Sequence, residues 1–187
     1  MSKTLKFILA AVAVLIVLLF VAFKVMQSNT KKHSPEDTVS LSTPPFEIEV
    51  FYNRPFKKGR TIFGELVPFG EVWRTGANEA TTFATQTDLQ IGQERLSAGK
   101  YTLWTIPGGS EWQIIFNEQM YRWGVNLSGE ASRDGTYDVL TTSVPVEKLG
   151  STVEQFTIAL EAIDAQSGKM ILTWDKTRVV VPFKSLN

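Results

Sequence analysis

Phe46 to Tyr52 reads FEIEVFY, and its alternation decides the fold class. Phe46, Ile48, Val50 and Tyr52 fall on one side, Glu47 and Glu49 on the other. Successive side chains of a strand point to opposite faces, so an apolar stripe of period two marks a strand with one face in a core. The same stripe returns at Trp112, Ile114 and Phe116, then at Phe156, Ile158 and Leu160. Two more lie at Met170, Leu172 and Trp174, and at Val179, Val181 and Phe183.

Ile91-Gly-Gln, Ser97-Ala-Gly-Lys, Pro107-Gly-Gly-Ser, Arg133-Asp-Gly-Thr and Gln166-Ser-Gly-Lys lie between the stripes and carry the turn chemistry of hairpins. No long stretch beyond Phe46 has a helical period; Val146-Glu-Lys-Leu-Gly reads as a single helical turn. About 140 residues of short alternating strands fold most economically as two packed antiparallel sheets. The expectation is an all-β domain, an antiparallel sandwich of roughly eight to ten strands, with a partly closed barrel as the alternative.

Upstream, Phe7 to Phe23 is FILAAVAVLIVLLFVAF, without a charge. With Leu5, Val25 and Met26 the run approaches about 20 residues, which at about 1.5 Å each crosses a ~30 Å hydrocarbon layer. A cleaved signal has a shorter apolar region followed by a small-x-small site, and Lys24-Val-Met-Gln offers none. Residues 1–26 are therefore expected to be an uncleaved signal-anchor, a single transmembrane helix partnered by the lipid bilayer. Lys3 and Lys6 on a very short leading tail favour a cytoplasmic start, although Lys24, Lys31 and Lys32 follow the helix. That places the remainder on the periplasmic side of the inner membrane. Residues 27–45, QSNTKKHSPEDTVSLSTPP, read as a flexible tether, leaving 46–187 as the folded domain.

Lysine plus arginine balance aspartate plus glutamate at 19 each, so no net field points to nucleic acid. There is no cysteine, and the one histidine, His33, lies in the polar stretch between anchor and domain. Thiolate chemistry, histidine triads and histidine metal sites are excluded, and no cofactor is expected.

Trp73 to Phe83, WRTGANEATTF, carries more polar chemistry than a half-buried strand needs. Gly76-Ala77 interrupts the alternation, so one strand should end at Trp73-Arg-Thr and another begin at Glu79-Ala-Thr, or a bulge should intervene. Two readings stay open. Arg74 pairs with Glu79 while Asn78 ties loose backbone, or Arg74, Asn78, Glu79 and Thr81 line a ligand site with Trp73 as stacking face. Arg54 and Arg60, in the loop RPFKKGR, are further anion-binding candidates, against the plainer reading of a solvated turn. Pro107-Gly-Gly lacks the lysine and helix of a phosphate loop, and Arg133-Asp-Gly-Thr-Tyr-Asp lacks calcium-loop spacing; both read as turns. Trp112 and Trp174 are assigned to the core by their alternation, while Trp73, Trp104 and Trp123 adjoin polar or glycine-rich segments and are either buried or sugar-stacking.

RPFKKGRTIFGELVPFGEVWRTGANEATTF from Arg54, IGQERLSAGKYTLWTIPGGSEWQIIFN from Ile91, and KTRVVVPF near the end resemble the DUF2911 family, bacterial proteins of unknown function. The resemblance covers about Phe46 to Phe183. It implies a compact, exported β domain with no activity to carry over, and the loop Gly124 to Thr136 departs from the family pattern. The expected function is a non-catalytic binding module for an envelope glycan, another hydroxyl-rich component or a protein. A structural envelope protein without a small ligand is the second reading. A hydrolase using Glu79 with Glu65 or Glu71 is the third.

Overall fold

A computed structural model describes residues 2–186. The chain divides into a unit ending at His33 and a unit beginning at Ser34. The first is a single helix, α1, Lys3–His33, long and apolar enough to cross a membrane. It runs past Met26 into the stretch expected to be a tether. Gln27 to His33 contains no glycine or proline, and Lys31, Lys32 and His33 occupy the last turn, where cations complement the negative end of the helix dipole. Pro35 restricts the residue before it, and the helix stops at His33.

The rest of the expected tether is also ordered. β1, Glu36–Thr43, lies antiparallel along β2, Phe46–Asn53, with Val39 opposite Val50 and Leu41 opposite Ile48. The polarity that reads as tether is that of an edge strand: it bonds through its backbone, buries Leu41 and leaves most other side chains in water. The domain therefore begins at Ser34 rather than Phe46.

Seven further strands complete it: β3 (Thr82–Thr85), β4 (Leu89–Ile91), β5 (Glu94–Leu96), β6 (Gly99–Pro107), β7 (Glu111–Asn117), β8 (Asp138–Ala162) and β9 (Ser167–Ser185). They are hydrogen-bonded in the order β1-β2-β3-β6-β7-β8-β9-β4-β5, and every pairing is antiparallel. β8 makes the corner: it pairs with β7 through Pro145 and with β9 from Val146 onward. The sheet folds there into two layers and does not close, so the sandwich is observed rather than the barrel.

Val146-Glu-Lys-Leu-Gly is not a helical turn. Val146 and Lys148 pair with Val179 and Thr177 in β9, and register shifts between Lys148, Val153 and Thr157 break the period. The turns expected at Ile91-Gly-Gln, Pro107-Gly-Gly-Ser and Gln166-Ser-Gly-Lys join paired strands. Ser97-Ala-Gly-Lys instead carries the chain from β5 in one layer to β6 in the other.

The stripes meet between the layers. Phe46 packs edge-on to Phe183 at 5.4 Å, and Tyr52 to Phe156 at 5.7 Å. The Tyr52 hydroxyl accepts from the Ile158 amide at 3.0 Å, and burial pushes its pKa up to about 12. Of the stripe residues only Leu160 is less than fully buried.

A fragment beginning at Ser34 is expected to be soluble, with a β-type circular dichroism spectrum. One beginning at Phe46 loses β1, its burial of Leu41 and the Asp37 partner of Arg54. It should melt more than about 5 °C lower; equal melting points would show that β1 contributes nothing to the domain.

Candidate functional site

β6 holds two neighbours along one edge. Its start pairs with β3, and farther on Trp73 and Thr105 exchange both backbone hydrogen bonds, at 2.7 and 3.0 Å. The Thr81 carbonyl accepts from Leu103 between them. The chain thus leaves β6 after Trp73 and returns at Thr81, with an outward loop between. The Thr81 hydroxyl closes the loop at its base, donating to the Thr75 carbonyl at 2.7 Å. Thr75 and Asn78 have φ of 54° and 56° and Gly76 of 152°. A Cβ on Gly76 would lie 2.8 Å from the Asn53 carbonyl oxygen, so this tight approach to the end of β2 requires glycine.

Pairing with Thr105 turns Trp73 inward. Its ring lies parallel to Trp174 at 6.0 Å and edge-on to Phe156 at 5.0 Å, and its indole N–H donates to Gly76 at 3.0 Å. Trp73 is therefore a core residue, and the expected stacking face is buried between aromatic rings. Thr81 is fully buried as well and serves the backbone. Trp104 is buried and Trp123 half-buried.

Arg74 follows Trp73. Its stem lies against Gly124: a Cβ there would overlap Arg74 Cδ and sit 2.7 Å from Arg74 Cβ. A second small core has formed from Ala80, Trp104 and Ile115, with Val72, Ile106, Tyr121 and Ala131 packed on it. Tyr121 and Ala131 come from the long β7–β8 connection, as does Gly124, whose amide donates to the Asn78 carbonyl at 2.8 Å. That connection thus packs on the outward loop through Gly124, which touches Arg74 and Asn78 together.

The Arg74 guanidinium finds no hydrogen-bond or ion-pair partner among the described residues, and its Nε is buried without one. Burial alone lowers its pKa, yet a guanidinium stays protonated in any protein environment. The expected pairing of Arg74 with Glu79 does not form. Glu79 accepts from Asn53 Nδ2 at 3.1 Å, and Asn78 Nδ2 donates to Asn53 Oδ1 at 3.2 Å and to the Ser34 carbonyl at 3.4 Å. Asn53, fully buried at the end of β2, is the hub that sequence reasoning missed. Its one signal is an amide where the β2 stripe stops.

Arg54 and Arg60 do not join Arg74 in a cationic cluster. Arg54 binds Asp37 at 3.1 Å, the Phe156 carbonyl at 3.3 Å and Thr157 Oγ1 at 3.1 Å. Arg60 donates to the Lys57 carbonyl at 3.0 Å and the Phe56 carbonyl at 2.5 Å. Both fasten backbone, as a chain turning off a sheet edge demands. Glu65 and Glu71 are exposed. The Arg133 segment is a capped turn: Asp134 accepts from the Thr136 amide at 3.0 Å, and Arg133 Nε donates to Asp138 at 2.9 Å. Elsewhere a cleft of about 360 Å³ is lined by Gln90, Ile163, Asp164, Pro182 and Lys184. Its Asp164 caps the β8–β9 turn through the Gln166 and Ser167 amides.

A family model described as "Protein of unknown function (DUF2911)" matches residues 34–183. No curated protein and no solved structure matches the chain.

Gly124→Ala is expected to destabilise the domain by about 1–3 kcal/mol through overlap with the Arg74 stem. Introduced into an Arg74→Gly background, which removes every Arg74 side-chain atom it would meet, it should cost at least about 1 kcal/mol less. Additive losses in chemical denaturation would mean that the two residues are not in contact.

Proposed function

Because the chain belongs to the DUF2911 family of proteins of unknown function, we propose from its geometry that it is a membrane-anchored binding module of the cell envelope. The N-terminal helix holds it in the inner membrane with the β domain in the periplasm, and the loop Arg74 to Ala80 receives a glycan or other hydroxyl-rich component. The observation that carries this reading is Arg74, partly buried, with its Nε sealed from solvent and without a partner among the described residues. A buried guanidinium N–H without an acceptor is destabilising in general, and such a group persists where function needs it. Asn78 and Glu79 border the same loop, with Asn53 holding both. Trp73 and Thr81 support it from behind.

Arg74→Met keeps the stem against Gly124 and removes the charge. It is expected to raise the melting temperature by about 2–6 °C while abolishing capture on a glycan array. A lower melting temperature with unchanged capture would assign Arg74 to the scaffold.

For the anchor, mass spectrometry of the protein from membranes should find residues before Gln27 still attached, and a C-terminal alkaline phosphatase fusion should be active. A processed N-terminus would make the domain a released one, and an inactive fusion would reverse the topology.

A further inference from the structure

We infer that the group received by Arg74 is a single carboxylate, so that the ligand is an acidic sugar rather than a neutral or phosphorylated one. The inference rests on the reading of the outward loop as a binding site and adds the charge of what binds there.

Charge balance is the first ground. A phosphate monoester carries nearly two charges at neutral pH, so its site gains from more than one cation. Here several cations of the neighbouring segments are engaged: Arg54 with Asp37, Lys57 with Asp175 at 2.9 Å, and Arg133 with Asp138. Arg60 donates to carbonyls of its own loop. Arg122, on the connection that carries Gly124, is exposed, where water and salt screen its charge. Arg74 is the cation of the outward loop itself, Arg74 to Ala80, and a carboxylate brings it one negative charge.

Geometry is the second ground. Arg74 Nε is sealed against solvent and the stem is held by Gly124, while the residue as a whole is only partly buried. The guanidinium is thus presented by its terminal nitrogens, an end-on planar fork. Two parallel N–H donors match the two coplanar oxygens of a carboxylate. A neutral sugar hydroxyl offers the fork one acceptor oxygen, whereas the carboxylate of a hexuronate offers two and matches its charge.

The test uses the full-length chain in detergent micelles and calorimetric titration with four probes. These are tetramers of galacturonate and of glucuronate, the methyl ester of the galacturonate tetramer, and inorganic phosphate. At least one acid tetramer is expected to bind about 10- to 100-fold more tightly than the ester, the range a charge-assisted fork supplies. Arg74→Met should erase that preference, and Arg74→Lys, which keeps charge but not fork, should weaken it about tenfold. The lysine variant also decides the matter if the methionine variant does not fold. Millimolar phosphate should not compete. Equal binding of acid and ester would overturn the carboxylate and leave the binding module standing, and so would displacement by phosphate. Failure of all four probes to bind would remove the inference, while the glycan array separately decides the wider reading.

Discussion

Trp73 is the contact on which the rest depends. Its backbone is tied to Thr105 in one layer, and its indole lies on Trp174 and Phe156 in the other. Truncating a buried tryptophan to alanine typically destabilises a domain by about 3–5 kcal/mol. Here the loss would extend to the course of the chain. With the indole held inside, the next residue starts on the other side of the sheet, and that residue is Arg74.

The anchored indole imposes a series of small steric and polar necessities on the loop. The segment must leave β6 and return at Thr81. The excursion is short, so it passes through positive φ at Thr75, Gly76 and Asn78 and presses Gly76 onto Asn53. The buried Asn53 amide bonds the side chains of Asn78 and Glu79, and the carbonyls of Thr75 and Gly76 accept from the Thr81 hydroxyl and the Trp73 indole. The Arg74 side chain is left to lie under Gly124. The polar residues divide accordingly: the asparagines and threonines hold the loop, and the arginine is held by it without being neutralised.

The same division separates the cations of the domain. Arg54 and Lys57 join an acidic residue and a backbone carbonyl at points where the chain turns off the sheet. Such pairs fasten a loop at modest net gain, because desolvation offsets much of the attraction. Arg74 has no such partner among the described residues. Its Nε is buried without an acceptor, and on that observation the proposed site rests.

The β class, the core stripes from Phe46 to Phe183, three of the hairpin turns and a membrane-length N-terminal helix were legible in the sequence. Each is written in a local period or composition that backbone geometry reads directly. The polar stretch after the apolar run was misread, because an edge strand and a tether share the same composition and differ only in whether β2 lies beside them. Val146 to Gly150 was misread because the bulges of β8 erase the alternation. The outward loop was located by its glycine and its excess of polar groups, but the roles inside it were not. Whether Trp73 faces a ligand or Trp174, whether Glu79 meets Arg74 or Asn53, and whether Arg54 is available or taken by Asp37 all depend on partners far away in the chain. Local periodicity determined the strands; only the folding of one layer over the other at β8 decided which charge was left without a partner, because pairing is a property of proximity in space and not of order along the chain.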